Sequence, residues 1–192
     1  MIPGDSLSSV PVYAEYLYGD SLSISKIRDY EMGGIALNDA SQGLNTTLWR
    51  LDISGTHIVI SENGANPINI ITGTGITEAS FAFDQNMRIV VTYVQNDQAK
   101  LYWYDSTISG ITTTILDAAV KSPRVAMDDK RSQPTNQGET DVILAYVRNN
   151  NLYFRMQRER YEVEHLLYST LNGVLVNMGM NKTNRLQFQI QP

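Results

Sequence analysis

Apolar and polar residues alternate in short runs along most of this chain, and glycine, proline, asparagine and aspartate separate the runs. The alternation is cleanest at 21–25, where serines flank Leu22 and Ile24. A period of two places successive side chains on opposite faces of a strand. Only 153–167, which reads YFRMQRERYEVEHLL, has a pattern compatible with a helix, and its tyrosine, phenylalanine and valine residues favour a strand. The pattern therefore predicts an all-β protein.

One combination of strands recurs along the chain. In 81–105, a short apolar strand ends in Asp84, and then come a β-branched run, the polar turn 95–98 and an aromatic strand. This order predicts a strand followed by a hairpin. The same order returns at 124–157, where RVAMDD precedes DVILAYV, a turn and LYFRMQ. We therefore expect small antiparallel sheets built from a repeated unit.

Four short strands share a pattern of large, small, large, then Asn or Asp. They are IALN at 35–38, FAFD at 81–84, VAMD at 125–128 and MGMN at 178–181. Their last residues, Asn38, Asp84, Asp128 and Asn181, are 46, 44 and 53 residues apart, close to the roughly 40 to 50 residues that separate propeller blades. We expect these four side chains to close their turns by accepting backbone hydrogen bonds.

The two ends of the chain complete this pattern. A predicted hairpin at 12–27 belongs to no unit, while the last unit has a single strand, RLQFQI, after its quartet. We therefore predict a small β-propeller-like ring of about four antiparallel blades, closed by N- and C-terminal strands. This ring forms a single all-β domain with internal repeats at 10–192, and 1–9 form a flexible N-terminal arm. A β-sandwich is the alternative fold.

Composition narrows the classes of function. The 192-residue chain has no cysteine, which excludes disulfides and thiolate metal sites. Its net charge of -5 argues against general nucleic-acid binding, and no apolar run is long enough to span a membrane. The N-terminus lacks the basic and apolar regions of a secretory signal, so we expect synthesis in a cytoplasm.

The charges are distributed unevenly along the chain. Residues 1–120 contain 5 Lys and Arg against 13 Asp and Glu, whereas 121–192 contain 10 against 7. The halves therefore carry -8 and +3. A protein polarised in this way can stack head to tail with copies of itself. An uneven spread of charge over a solvated surface is the other interpretation.

The sequence offers weak candidates for catalysis. His57 and His165 each stand alone on a strand-like segment, and two histidines cannot build a His-rich metal site. Asp84 and Asp128 are the best candidates for a pair of catalytic acids. Asparagine occupies the equivalent position in the other two units, however, and an amide is neither acid nor base. We therefore expect no catalytic residue, no metal and no cofactor.

Three aromatic residues are candidates for binding: Trp49, Trp103 and Tyr104. Exposed tyrosine and tryptophan side chains stack on glycans or anchor protein partners. If the sheets stack on one another as blades, both faces of each sheet are buried and the same rings pack between sheets. The sequence leaves both interpretations open.

A family resemblance rests on four segments between 82 and 190: AFDQNMRIVVTYVQNDQAKLYWYD, SPRVAMDDKR, DVILAYVRNNNLYFRMQRERYEVEH and GMNKTNRLQFQI. Together they resemble structural proteins of tailed bacteriophages, over about residues 79–192. Relatives of this kind are mostly unassigned virion or tail components. The resemblance implies a non-enzymatic virion protein, made in the host bacterial cytoplasm and placed in the tail or at its tip.

The same resemblance implies partners and alternatives. A virion role predicts a homo-oligomer that binds other virion proteins in a symmetric assembly. The second hypothesis is a receptor- or glycan-binding module of the tail tip, in which a host-surface glycan stacks on Trp49 or Trp103. An enzyme that degrades cell-surface polysaccharide is the third.

Overall fold

The computed structural model describes residues 22–25, 32–37, 46–62, 65–129, 140–180 and 186–192. These residues form fifteen β-strands and one single-turn 3₁₀ helix, and every strand pair is antiparallel. The prediction of an all-β protein is therefore confirmed. None of the described residues belongs to a helix long and apolar enough to cross a membrane.

The strands form four separate sheets, and each sheet takes consecutive strands of the chain. The first contains β1 (Leu22–Ser25), β2 (Met32–Leu37), β3 (Thr46–Ser54), β4 (His57–Glu62) and β5 (Ala65–Thr72). The second contains β6 (Ile76–Phe83), β7 (Ile89–Gln95), β8 (Gln98–Asp105) and β9 (Gly110–Ile115). The third contains β10 (Lys121–Asp129), β11 (Thr140–Arg148), β12 (Asn151–Met156) and β13 (His165–Tyr168), and the fourth β14 (Val174–Met180) and β15 (Leu186–Gln191).

The sheets stack face to face in chain order. On β7, Val90 and Val94 pack against the third sheet, while Val91 and Tyr93 pack against the first. Because side chains alternate between the faces of a strand, both faces of the second sheet are buried. The third sheet has the same arrangement, since Leu144 on β11 faces the second sheet and its neighbours face the fourth. This double burial explains why the central strands read as near-continuous apolar runs.

The first strands of successive sheets lie alongside one another, with β10 between β6 and β14. Arg124 on β10 links all three. Its Nε donates to the carbonyl of Val176 on β14 at 3.0 Å, and its Nη1 lies 2.9 Å from Glu78 Oε2 on β6. The neighbouring Val125 N–H donates to Ser80 Oγ at 3.1 Å. These buried polar contacts fix the register between sheets.

The chain ends differ in part from the predicted ring closure. Strand β1 pairs with β2 of the first sheet, and it also lies near β14. None of the four sheets closes on itself, and a sandwich-like arrangement of antiparallel sheets fits the described strands. The rest of the predicted hairpin at 12–27, like the predicted arm at 1–9, lies outside the described residues.

The segment at 153–167 confirms the preference for strands over a helix. Strand β12 ends at Met156, a 3₁₀ turn covers Gln157–Glu159, and β13 begins at His165. Arg160 and Tyr161 adopt left-handed backbone conformations, with φ of 55° and 58°, which stop the turn from continuing as a helix. The predicted hairpin turns also form, because two successive residues with positive φ join β7 to β8.

Candidate functional site

Asp84, the first candidate acid, closes the turn after β6. Its Oδ1 accepts hydrogen bonds from the backbone N–H groups of Asn86 at 2.8 Å and Arg88 at 2.9 Å. Its own N–H donates to the carbonyl of Arg88 at 2.9 Å. The side chain is almost fully buried. A carboxylate held in this way acts as an acceptor for the turn backbone.

One other turn-closing candidate, Asp128, lies within the described residues and is placed differently. Asp128 lies inside β10 and pairs in register with Asp141 on β11, so the strand continues past it. Asn38 and Asn181 lie outside the described residues. Asp84 therefore closes its turn with the predicted hydrogen bonds.

Asp141 is a buried acid that the sequence analysis did not single out. Arg158 Nε lies 2.6 Å from Asp141 Oδ2, in an ion pair without hydrogen-bond alignment. The backbone N–H of Arg158 donates to Asp141 Oδ1 at 3.2 Å. Burial raises the pKa of Asp141 above its ordinary value, and the contacts with Arg158 partly oppose that rise. The pair holds the 3₁₀ turn against the start of β11.

Asp105 anchors the same segment to the second sheet. Its Oδ1 accepts hydrogen bonds from Thr107, from Oγ1 at 2.7 Å and from the backbone N–H at 2.8 Å, and Arg160 Nη2 lies 2.9 Å from Oδ2. The Thr107 hydroxyl, more than Arg160, lowers the pKa of Asp105 below its ordinary value. Arg158 and Arg160 thus tie one short segment to two sheets.

A second polar network lies around Tyr146 on β11. The buried Tyr146 hydroxyl donates to the Glu164 carboxylate and accepts from Arg155 Nε at 2.8 Å. Glu164 also forms an ion pair with Arg148. Asp117 forms ion pairs with Arg148 and Arg155, and its Oδ2 lies 3.0 Å from Arg148 Nη1. Burial, reinforced by Glu164, raises the pKa of Tyr146 well above its ordinary value.

The charges of this network balance, with two arginines against two carboxylates. Because the phenol stays neutral and each ion faces a partner, the network supplies no free acid, base or nucleophile. Asp117 lies in the link between β9 and β10. The network therefore joins that link to β11 and β12, the two central strands of the third sheet.

The candidate binding aromatics are largely packed. Trp103 is 4% exposed, its ring lies edge-on to Tyr161 at 5.1 Å, and its Nε1 donates to Thr114 Oγ1 at 3.1 Å. Trp49 is half-buried and lies edge-on to Phe83 at 5.4 Å. Glycan stacking needs an open ring face, which Trp103 lacks.

Tyr104 and the two histidines also have protein partners. The guanidinium of Arg88 lies 3.8 Å from the ring centroid of the half-buried Tyr104. His57 Nδ1 is 3.0 Å from Thr72 Oγ1, and His165 Nε2 is 2.7 Å from a carboxylate oxygen of Glu159. Among the described residues, no group of three His, Asp or Glu side chains is placed to hold a metal ion.

The outermost strands expose large apolar side chains that the sequence analysis did not single out as a site. On and before β9, the exposed fractions are 61% for Ile108, 49% for Ile111 and 66% for Ile115. On β13, Leu166 and Tyr168 are more than half exposed. The sequence signal was the threonine run in ITTTI, which favours an exposed strand face but does not say that isoleucines share this face at the edge of a sheet.

Comparison of the chain with protein-family models, with curated proteins and with solved structures gave no match.

Proposed function

We propose that this chain is a non-enzymatic structural component of a tailed-phage virion, located in the tail or at its tip. There it forms a symmetric assembly with copies of itself and with other virion proteins. One observation carries the proposal: the outer strands of two adjacent sheets, β9 and β13, expose large apolar side chains at sheet edges that no other described strand pairs with. Such edges and patches mark protein contacts. The resemblance over 79–192 supplies the class of particle.

The interior supports a mechanical role. Arg124, Arg155 and Arg160 each connect elements that are distant in sequence, and each is paired with a carboxylate. The pair of Arg124 with Glu78 is largely buried, whereas each of the other two pairs has one half-exposed partner. A buried pair fixes one arrangement of sheets more than it adds stability. A module that keeps a fixed shape suits repeated packing in a particle.

The stacking of the sheets also supports a more specific architecture, a propeller-like ring of about four blades. Each of the second and third sheets is an antiparallel meander of four consecutive strands, as in a propeller blade. Strands β6, β10 and β14 occupy the inner positions, and the proximity of β1 to β14 brings the first and last sheets together. A cryo-electron microscopy map with four blades around one axis would support the ring, and two sheets packed face to face would exclude it.

The alternative function, a glycan-binding module, draws less support from these contacts. Trp103 has no open ring face, and Arg88 covers one face of Tyr104. Trp49 packs on Phe83 within the core between the first two sheets. These placements favour packing between blades over stacking on a sugar.

The experiment is localisation in gradient-purified particles of the phage that encodes the chain. An antibody against the chain, visualised with gold by electron microscopy, should label one fixed position on each tail. A host protein abundant in the same lysate serves as the control for adventitious binding. Label that stays with the soluble fraction, while particles assemble and infect normally, would contradict the proposal.

A further inference from the structure

Strand β9 is the most regular unpaired edge in the described part of the chain. All six of its residues pair with β8 without a register shift. By contrast, β5 contains Pro67 and two register shifts against β4, and β13 has four residues and one shift. Proline, bulges, charges and short length protect edges from pairing with another chain. Strand β9 has none of these protections, because GITTTI carries no charge or proline.

The backbone groups that face outward on β9 can be identified from one hydrogen bond. Leu116 N–H donates to the carbonyl of Ala99 at 3.0 Å, next to the register pair of Lys100 with Ile115. Hydrogen-bonded and non-hydrogen-bonded pairs alternate in an antiparallel ladder. Residues at 110, 112 and 114 therefore bond to β8. Ile111, Thr113 and Ile115 direct their N–H and C=O groups away from the sheet.

The same three residues form a palindrome. The sequence Ile111-Thr-Thr-Thr-Ile115 reads identically in both directions around Thr113. An antiparallel partner with this sequence places Thr113 opposite its own copy and Ile111 opposite Ile115 of the copy. All six outward groups on each strand then meet in hydrogen bonds, and the exposed isoleucines meet as cross-strand apolar pairs. No like charges oppose one another.

We infer that β9 pairs with β9 of a second copy of this chain, about a two-fold axis through Thr113, to form one continuous eight-stranded sheet. The occupant is a second copy because the palindrome makes this strand complementary to itself, so that the outward groups meet their own copies and each Ile111 meets an Ile115. This contact specifies how two copies meet in the homo-oligomer of the proposed function, and the inference rests on that proposed function. A six-residue edge lies below the roughly 800 Å² per partner of a standard interface, so the pair is weak alone and gains strength in a multivalent assembly.

A disulfide across the axis tests the register. Opposed residues of a hydrogen-bonded antiparallel pair have Cα atoms about 5.5 Å apart, within the range that a disulfide spans. The chain has no native cysteine, so Thr113→Cys introduces a single thiol. Mild oxidation should convert this variant to a covalent dimer, while Ile68→Cys, on the exposed edge strand β5, should remain monomeric. Equal cross-linking of both variants would overturn the inference.

Charge exchange tests it without covalent chemistry. Ile111→Lys/Ile115→Lys opposes like charges across the axis and should weaken self-association by about tenfold or more in sedimentation velocity. Ile111→Glu/Ile115→Lys opposes unlike charges and should restore the dimer. Ile68→Lys is the control and should leave association unchanged. Circular dichroism and thermal melting confirm that each variant is folded.

The outcomes separate this inference from the proposed function. A wild-type protein that stays monomeric at high concentration, with no cross-link from Thr113→Cys, overturns the pairing; another segment of the chain covering β9 would give that result. If such a protein is nevertheless found in virions, the proposed function stands. A dimer formed by a protein absent from virions supports the pairing and removes the proposed function.

Discussion

Arg124 is the position where one substitution should loosen three sheets together. Its side chain is 9% exposed and donates to Glu78, to the Val176 carbonyl and to the Pro123 carbonyl at 2.8 Å. Arg124→Met keeps much of the apolar stem but removes all three donations. A hydrogen bond to a charged group contributes about 1.5–3 kcal/mol, and an unsatisfied buried acceptor costs about 1–3 kcal/mol.

The expected loss for Arg124→Met is smaller than the sum of these contacts. Glu78 is 21% exposed, so water can hydrate its carboxylate again and recover part of the energy. Removing one partner of a fully buried pair costs about 3–5 kcal/mol, and we expect about 3 kcal/mol here. For a domain of this size, that corresponds to a fall in Tm of about 6–12 °C.

Urea denaturation followed by tryptophan fluorescence measures this loss, with Arg50→Ala as the matched control. Arg50 pairs with Asp52 at 2.8 Å on the surface, and its side chain is 49% exposed. Such exposed pairs contribute about 0–1 kcal/mol. Glu78→Gln combined with Arg124→Met should cost less than the two single changes added together, because both remove one interaction. If Arg124→Met costs no more than Arg50→Ala, the reasoning that Arg124 holds β6, β10 and β14 together is refuted.

Three further predictions follow from the buried groups. Tyr161→Phe should stabilise the protein by about 1 kcal/mol in urea denaturation, because the buried hydroxyl has no partner among the described residues; a clear loss of stability would show that it has one. Trp103→Ala should destabilise by about 3–5 kcal/mol, whereas a tryptophan kept for glycan stacking would leave the unfolding midpoint unchanged. Asp105→Asn and Asp141→Asn should give opposite pH trends in thermal melting. Because its pKa is lowered on folding, Asp105 stabilises the protein at a pH above the ordinary aspartate range, and this stability is lost as the pH falls through the folded pKa. Asp105→Asn should therefore be less stable than wild type at pH 7 and equally stable in strong acid. Because its pKa is raised on folding, Asp141 destabilises the protein as the pH rises from about 4. The melting temperature of Asp141→Asn should therefore rise relative to wild type over that pH range. Melting temperatures that change in parallel with pH in both variants and wild type would contradict both assignments.

The local elements were predictable because local chemistry determines them. Alternation and β-branched runs predicted the strands, and Asn96-Asp97 and Asn149-Asn150 supply the positive φ values that two-residue hairpins need. The repeated layout at 81–105 and 124–157 became two matching four-stranded sheets. Asp84 accepts the turn hydrogen bonds that its position after a strand predicted.

Long-range placement was not predictable, because it depends on which faces meet. Asp128 shares the quartet pattern with Asp84, yet β10 continues past it because Asp141 pairs opposite it. The links from Arg124 to Val176 and from Arg160 to Asp105 span 52 and 55 residues, and no local pattern identifies them. The threonine run of β9 is typical of an exposed strand, but it does not indicate that Ile111 and Ile115 lie exposed at the edge of a sheet.

The most direct test of the central claim, a structural component of a virion, is quantitative mass spectrometry of gradient-purified particles from the phage that encodes the chain. The account predicts the chain in a fixed ratio to the other tail proteins, at several copies per particle, and unchanged through successive gradients. A chain that is abundant in the infected lysate but falls toward zero as the particles are purified would contradict it.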